Sequence, residues 1–333
     1  MSSSDTVRLP SRSFGLALFL LASLALAGPR STQKRLNSRA EIDEQIDQLV
    51  RGGSVPSTVS RLRYLGDRDY AAEKLQEYLH KLLEDRTRRN LTAVLAGLES
   101  RSAEPALVKL ASDGDSTVRM YAAQGLGKLH SRSVNVLVPL LEDKSTGVRK
   151  ESARALGASH NPAMSKLLMA AAKNEPELDV RAEMLVAAGQ AGDAKQVPAL
   201  KAYLTSDSEI TRFAAAKGLC LLGSPDGFAF ANKLLGSEDR FTRRQGLELY
   251  EGVPAKKAAP VLSPLLKDSD RTLAASAARL MYQGGDKKML DWLVVASFQA
   301  KCDEKLAYEK ELETLQLADD ERQTILRKAG MVK

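Results

Sequence analysis

The chain has 333 residues, is 44% apolar, only 5% aromatic, and carries a formal charge of +7. So much apolar content excludes a disordered chain, and Ala- and Leu-rich, aromatic-poor composition suits packed helices better than sheets. Acidic residues are interspersed with the basic ones throughout, which argues against a nucleic-acid-binding face; solvated helix surfaces account for most of the charge.

In chain order, Arg8 and Arg12 precede an apolar run from Phe14 to Ala27, interrupted only by Gly15 and Ser23. Ala25-Leu26-Ala27 then offers a small-x-small cleavage site, with Ala25 and Ala27 at the small positions. This pattern reads as a secretory signal peptide over residues 1–27, and its apolar run falls short of the ~20 residues a spanning helix needs. Cleavage would remove Asp5, Arg8 and Arg12 and lower the charge from +7 to +6. No cysteine follows the run to accept a lipid, so membrane association is expected only if the leader is kept. Residues 28–39 read as a basic, flexible linker.

From about residue 40 a repeat governs the chain. Ser54, Asp85, Asp115, Ser145, Glu177, Ser208, Asp239 and Ser269 recur every 30 to 32 residues. Four residues after each stand Thr58, Arg89, Arg119, Arg149, Arg181, Arg212, Arg243 and Leu273. A fixed period in this range marks a solenoid of stacked helix pairs. Ser and Asp in the first column are expected N-caps (Ser54, Asp85, Asp115, Ser145, Ser208, Asp239, Ser269), with Glu177 the weak member. The cap opens a B helix whose stripe, as in Val118, Ala122, Leu126 and Leu129, faces the core, with recurrent Ala and Gly allowing close helix approach.

Each B helix follows an A helix. The predicted first helix runs from about Ala40 to Val50 with Ile42, Ile46, Leu49 and Val50 on one face, stopping at Gly52-Gly53. Later A helices are predicted at residues 70–83, 105–111, 134–141, 162–172, 197–204, 228–235 and 258–266, with Pro139 and Pro264 bending two of them. Another A helix follows around Trp292, then a charged helix over residues 304–317 and a short helix capped by Asp319. The expected organisation is an all-α solenoid over residues 40–300, about eight repeats, closed by a charged helical cap over residues 301–333.

The strings Asp115-Ser-Thr-Val-Arg-Met-Tyr-Ala-Ala-Gln-Gly-Leu-Gly and Ser145-Thr-Gly-Val-Arg-Lys-Glu-Ser-Ala-Arg-Ala-Leu-Gly resemble HEAT repeats of the short type named after phycobilisome lyases. That resemblance implies a superhelix with A helices convex and B helices concave. It also implies that Arg89, Arg119, Arg149, Arg181, Arg212 and Arg243 form a ladder to acidic residues of adjacent turns, weaker at Thr58 and Leu273. The same residue at the same step of every unit is what packing demands, so the ladder is read as structural rather than as an anion site.

His130 and His160 occupy equivalent steps but are followed by Ser131 and Asn161, so the His-Glu dipeptides of the HEAT-like deoxyhypusine hydroxylases are missing, and the histidines read as polar helix-end residues. Cys220 and Cys302 are too many layers apart for a disulfide, and Cys220 reads as a buried free thiol. Asn90-Leu-Thr92 has the form of a glycosylation acceptor but falls inside a predicted helix. No cofactor, metal or catalytic constellation is expected.

Positions one, five and nine after the Arg column point away from the core stripe. They hold Met120, Gln124, Lys128, Lys150, Arg154, Val186, Gln190, Phe213, Lys217 and Arg244, with Glu248 the one acidic residue. This strip predicts a protein or peptide partner, partly acidic, on the concave face of an exported, non-catalytic scaffold. A bilin lyase-like or other enzyme-associated role is the alternative, suggested by the repeat type alone and opposed by the leader.

Overall fold

The computed structural model describes residues 29–81 and 84–332; the leader, with Ala25 and Ala27, lies outside them. The described residues form helices and turns without a strand. Backbone contacts divide the chain between Leu110 and Ala111 into two compact units, each considered in turn.

The first unit holds α1 (Pro29–Val50), α2 (Val55–Leu65), α3 (Arg68–Leu79), α4 (Asp85–Gly97) and α5 (Glu104–Leu110). α1 begins at Pro29, so residues 29–39 are helical and the expected linker is corrected. Proline fits a helix start, where its missing N–H is not needed. As expected from their spacing, Ile42, Ile46 and Leu49 are buried, together with Leu62, Leu75 and Leu91. The Tyr70 hydroxyl donates to the Asp43 carboxylate at 2.9 Å, tying α3 to α1. In α4, Thr92 is buried and its Oγ1 donates to the Arg88 carbonyl, so the hydroxyl of this sequon is committed within the helix.

The second unit repeats a hairpin. Its B helices are α6 (Ser116–Lys128), α8 (Thr146–Ala158), α10 (Leu178–Ala191), α12 (Glu209–Leu222), α14 (Arg240–Glu248) and α16 (Arg271–Gln283). Its A elements are α7 (Val134–Leu137), α9 (Pro162–Asn174), α11 (Val197–Ala202), α13 (Pro225–Leu235), α15 (Ala255–Leu265) and α17 (Lys288–Gln299). Pro139 breaks its helix rather than bending it: α7 stops at Leu137 and a 3-10 turn covers Pro139–Glu142. Pro260 and Pro264 both sit within α15. α18 (Cys302–Thr314) and α19 (Asp319–Lys328) close the unit. Tyr308, Leu312, Ile325 and Leu326 share a buried cluster with Ala275 and Ala278 of α16, so the last turns seal the exposed end of the repeat core.

The caps follow the period with local corrections. Asp115 accepts from the backbone N–H of Thr117 and Val118, Ser208 from Thr211, and Asp239 from Thr242. Ser54 and Ser145 hold the cap position without a side-chain bond to a first-turn backbone N–H, and Glu177 does the same. Asp85 is not a cap: Glu84 precedes it and Asp85 is the first helical residue. Ser269 is displaced by Asp270, whose carboxylate accepts from Thr272 and Leu273. Asp319 is likewise the first residue of α19, after Ala318, where its charge opposes the positive helix start.

The B helices α6, α8, α10 and α12 stack directly on one another. Their seam is made of small residues. A Cβ added at Gly127 would lie 3.0 Å from the Ala155 Cα, and one added at Gly157 2.9 Å from the Ala187 Cα. One at Gly189 would lie 2.3 Å from the Gly218 carbonyl oxygen, so two helix backbones touch there. In the same register the next pair is Cys220 and Leu249, and at that step the seam ends: α12 and α14 make no comparable approach. Instead α13 holds both. Gly227 of α13 lies against the Cys220 backbone, and Gly246 of α14 lies against Ala231 and Leu235 of α13.

Candidate functional site

The turn before each B helix carries a second regular device. Asp113, Asp143, Glu175, Ser206, Ser237 and Asp268 stand two residues before the cap position. Each accepts a hydrogen bond from the backbone N–H two residues on. Asp, Ser and the longer Glu close the turn in this way. The arginine four residues into the repeat then reaches back: Arg119 Nη1 donates to the Asp113 carbonyl at 2.8 Å and Arg149 Nη1 to the Asp143 carbonyl at 2.9 Å.

The ladder exists where the next turn offers an acid. Arg119 pairs with Asp143 through Nε and Nη2 at 2.7 and 2.9 Å. Arg149 pairs with Glu175 at 2.7 and 2.8 Å. Burial would raise the Asp143 and Glu175 carboxyls, but the guanidiniums and the turn N–H groups outweigh it and hold both below the usual range. Beyond Glu175 the equivalent acids become Ser206 and Ser237. Among the described residues, Arg181 and Arg212 therefore bond the carbonyls of their own turns and no acid. Arg243 regains a rung, at 3.6 Å from Asp270. Of the five ladder arginines in this unit, Arg119 and Arg149 make strong rungs and Arg243 a loose one among the described residues; Arg89 sits half-buried on α4 of the first unit.

His130 and His160 stack with ring centroids 5.9 Å apart. Both adopt positive φ, 47° and 49°, as left-handed residues that end α6 and α8. Nδ1 of His130 meets the Ala158 carbonyl at 2.8 Å, and Nδ1 of His160 meets that of Gln190 at 3.2 Å. A carbonyl only accepts, so each Nδ1 carries the proton and ties one repeat to the next.

The strip expected to meet a partner divides into parts. Lys150, Phe213 and Lys217 line a groove of about 590 Å³ across α8, α10, α12 and α14, beside Val186 and Glu248. Met120, Gln124 and Lys128 lie away from it on α6, with Met120 against Gly147. Arg154 is held by Glu151 and Glu183 at 2.6 and 2.7 Å. Arg244 borders a smaller hollow with Arg240 and the exposed Phe241.

Lys217 is the long strut of the groove. Its Nζ donates to the carbonyls of Glu248 at 2.9 Å, Leu249 at 3.5 Å, and Glu251. It thus satisfies the free carbonyls at the end of α14, a cap that crosses the step where the seam stops. Burial pulls its ammonium down to about 8, against the opposing carboxylates of Glu251 and Glu248. Beneath it Cys220 is buried and free, its thiol pushed up to about 12 by burial; the Cys302 side chain lies outside the described residues.

The expected positive charge of this face is corrected. The groove carries Asp179, Glu183, Glu209, Glu248 and Glu251 against Lys150 and Lys217. Asp179 and Glu209 come from the first turns of α10 and α12, which a count from the Arg column passes over. Val186, Phe213 and Ile210 form the apolar floor, with Ile210 48% exposed.

Comparison with known proteins agrees with this architecture. HEAT repeats match residues 72–132, 118–187 and 165–251, which together span more than half the chain. The protein therefore belongs to the HEAT repeat family.

Among solved structures, the complex of CpcE and CpcF of phycocyanin lyase from Nostoc sp. PCC7120 is similar at 19% identity. That match covers 73% of this chain and 94% of the other, with a TM-score of 0.49. An engineered protein is 20% identical over 82% of this chain and 84% of its own, with a TM-score of 0.43. Human deoxyhypusine hydroxylase is 17% identical over 75% of this chain and 97% of its own, with a TM-score of 0.33. No curated protein matches the chain.

Proposed function

We propose that this HEAT repeat protein is an exported, non-catalytic scaffold that binds a protein or peptide segment in the groove on its B-helix layer. The observation that carries the reading is the step between α12 and α14. There the small-residue seam ends, beside a groove of about 590 Å³ floored by Val186, Ile210 and Phe213. Apolar side chains gathered in a concavity and rimmed by polar groups are the composition of a binding surface. A binding role also suits Lys217, whose ammonium is engaged by three carbonyls rather than presented to a substrate. The expected acidity of the partner finds no support in the groove, whose carboxylates outnumber its lysines.

The test is a photo-crosslinking residue at position 213 in the native host, with one at the exposed Lys173 of α9 as control. A discrete protein adduct from position 213, and none from position 173, supports the scaffold. Absence of any adduct at 213 overturns it. Export rests on the Arg-flanked apolar run ending in Ala25-Leu26-Ala27. The intact mass of the purified protein tests it: a chain beginning at Gly28 is expected, and one retaining residues 1–27 refutes cleavage.

A further inference from the structure

We infer that the groove selects a cationic peptide segment, one apolar side chain flanked on both sides by Lys or Arg. This rests on the groove-binding reading above and adds the chemistry of the partner. The floor supplies the anchor site: Val186 from α10, and Ile210 and Phe213 from α12. The rim supplies the charge, and its carboxylates differ in how far they are already engaged.

Glu183 is held by Arg154, which also takes Glu151. Glu248 has Arg244 at 3.7 Å and Glu251 has Arg279 at 4.0 Å, both loose and solvent-exposed on the carboxylate side. Asp179 and Glu209 are exposed and have no ion-pair or hydrogen-bonding side chain among the described residues. Of the groove's two cations, Lys217 is turned away onto the backbone of α14. Lys150 is left as the one uncommitted cation among the groove's described residues.

Asp179 and Glu209 thus present unpaired negative charge at one end of the groove, on a chain that carries +7 as a whole. A cationic peptide that binds does so against the bulk charge and because of this groove, whereas an anionic one would be drawn to the protein generally. The separation matters as much as the sum. Asp179 and Glu209 project from the cap ends of α10 and α12, while Glu248 and Glu251 lie at the far end of α14. Acids at both ends of an apolar floor match bases on both sides of an apolar residue.

Fluorescein-labelled nonapeptides titrated into the full chain by anisotropy test this. One panel has Leu or Phe flanked by Lys and Arg; a second replaces every base with Glu; a third keeps the first composition but segregates bases from apolar residues. The interleaved cationic panel is expected to bind best, and to weaken on adding salt. The double variant Asp179→Asn, Glu209→Gln should weaken it about tenfold, the change that about 1.4 kcal/mol represents. Glu251→Gln, at the opposite end, should weaken it as well, and thermal melts confirm that each variant folds.

Cationic binding unchanged in both variants, or equal for the segregated panel, overturns the inference as diffuse attraction. Preferential binding of the Glu panel, lost in Phe213→Ala, overturns the charge assignment while leaving the groove as the site. Binding of neither panel overturns the inference as well, and the groove reading then stands or falls on the adduct from position 213.

Discussion

Arg149 grips Glu175 through both carboxylate oxygens, at 2.7 and 2.8 Å, and Glu175 is only 4% exposed. Removing the arginine would strand a buried carboxylate, which costs about 3 kcal/mol or more. Among the described residues Arg212 bonds carbonyls of its own turn and no acid, and its loss should cost about 1 kcal/mol. Chemical denaturation of Arg149→Ala, Arg212→Ala and Lys173→Ala should rank them in that order. Equal midpoints for the two arginine variants would show that the rung adds nothing.

The same pair sets the acid limb of stability. Glu175 and Asp143 have folded pKa values below their unfolded ones, so their contribution is complete above the ordinary carboxylate range. It is lost as the pH falls from there through the depressed folded values. Glu175→Gln should flatten that limb in a pH series of melts, and an unchanged limb would assign acid unfolding to other groups.

Thr211 occupies the step held by Val118, Val148 and Val180 in earlier repeats, and its buried Oγ1 has no hydrogen-bond partner. Thr211→Val keeps the shape and removes the stranded hydroxyl. A gain of about 1 kcal/mol is expected in denaturant midpoints. A loss would mean that the hydroxyl is satisfied by water.

Gly189→Ala should destabilise by about 3 kcal/mol, since the new methyl meets the Gly218 backbone and α10 and α12 must separate. Gly114→Ala meets nothing within 4 Å and should be near neutral. Thermal melts of the two variants make the comparison.

Cys220 should resist thiol reagents in the native state, since it is buried and its thiol is pushed up to about 12. In a Cys302→Ser background, labelling with a maleimide should follow the rate of unfolding. Rapid native labelling would show that the layer opens at Cys220.

The period made the helix pairs, most caps and the buried stripes readable, because these are local demands repeated at each unit. Where two good acceptors adjoin, as Ser269 and Asp270 do, the period alone does not choose, and the carboxylate prevails. The helix through residues 29–39 was hidden by its polar composition.

The site was only partly readable. Phe213 and Lys150 followed from helical spacing, but the groove's charge comes from Asp179 and Glu209 in the cap turns, which that spacing does not count. Lys217 counted as a surface cation until α14 placed three carbonyls in its reach. The ladder's interruption was visible in principle: the residue two before each cap changes from Asp143 and Glu175 to Ser206 and Ser237.

The seam of α6, α8, α10 and α12 gives the second unit an uneven stiffness. Backbone lies on backbone as far as Gly218, and such a stack resists bending as a laminate does. At Cys220 and Leu249 the lamination stops, and the strain of any flexure falls on α13 and on the Lys217 strut. The B-layer is thus laminated on one side of this step, and on the other it is joined through α13 and a single lysine.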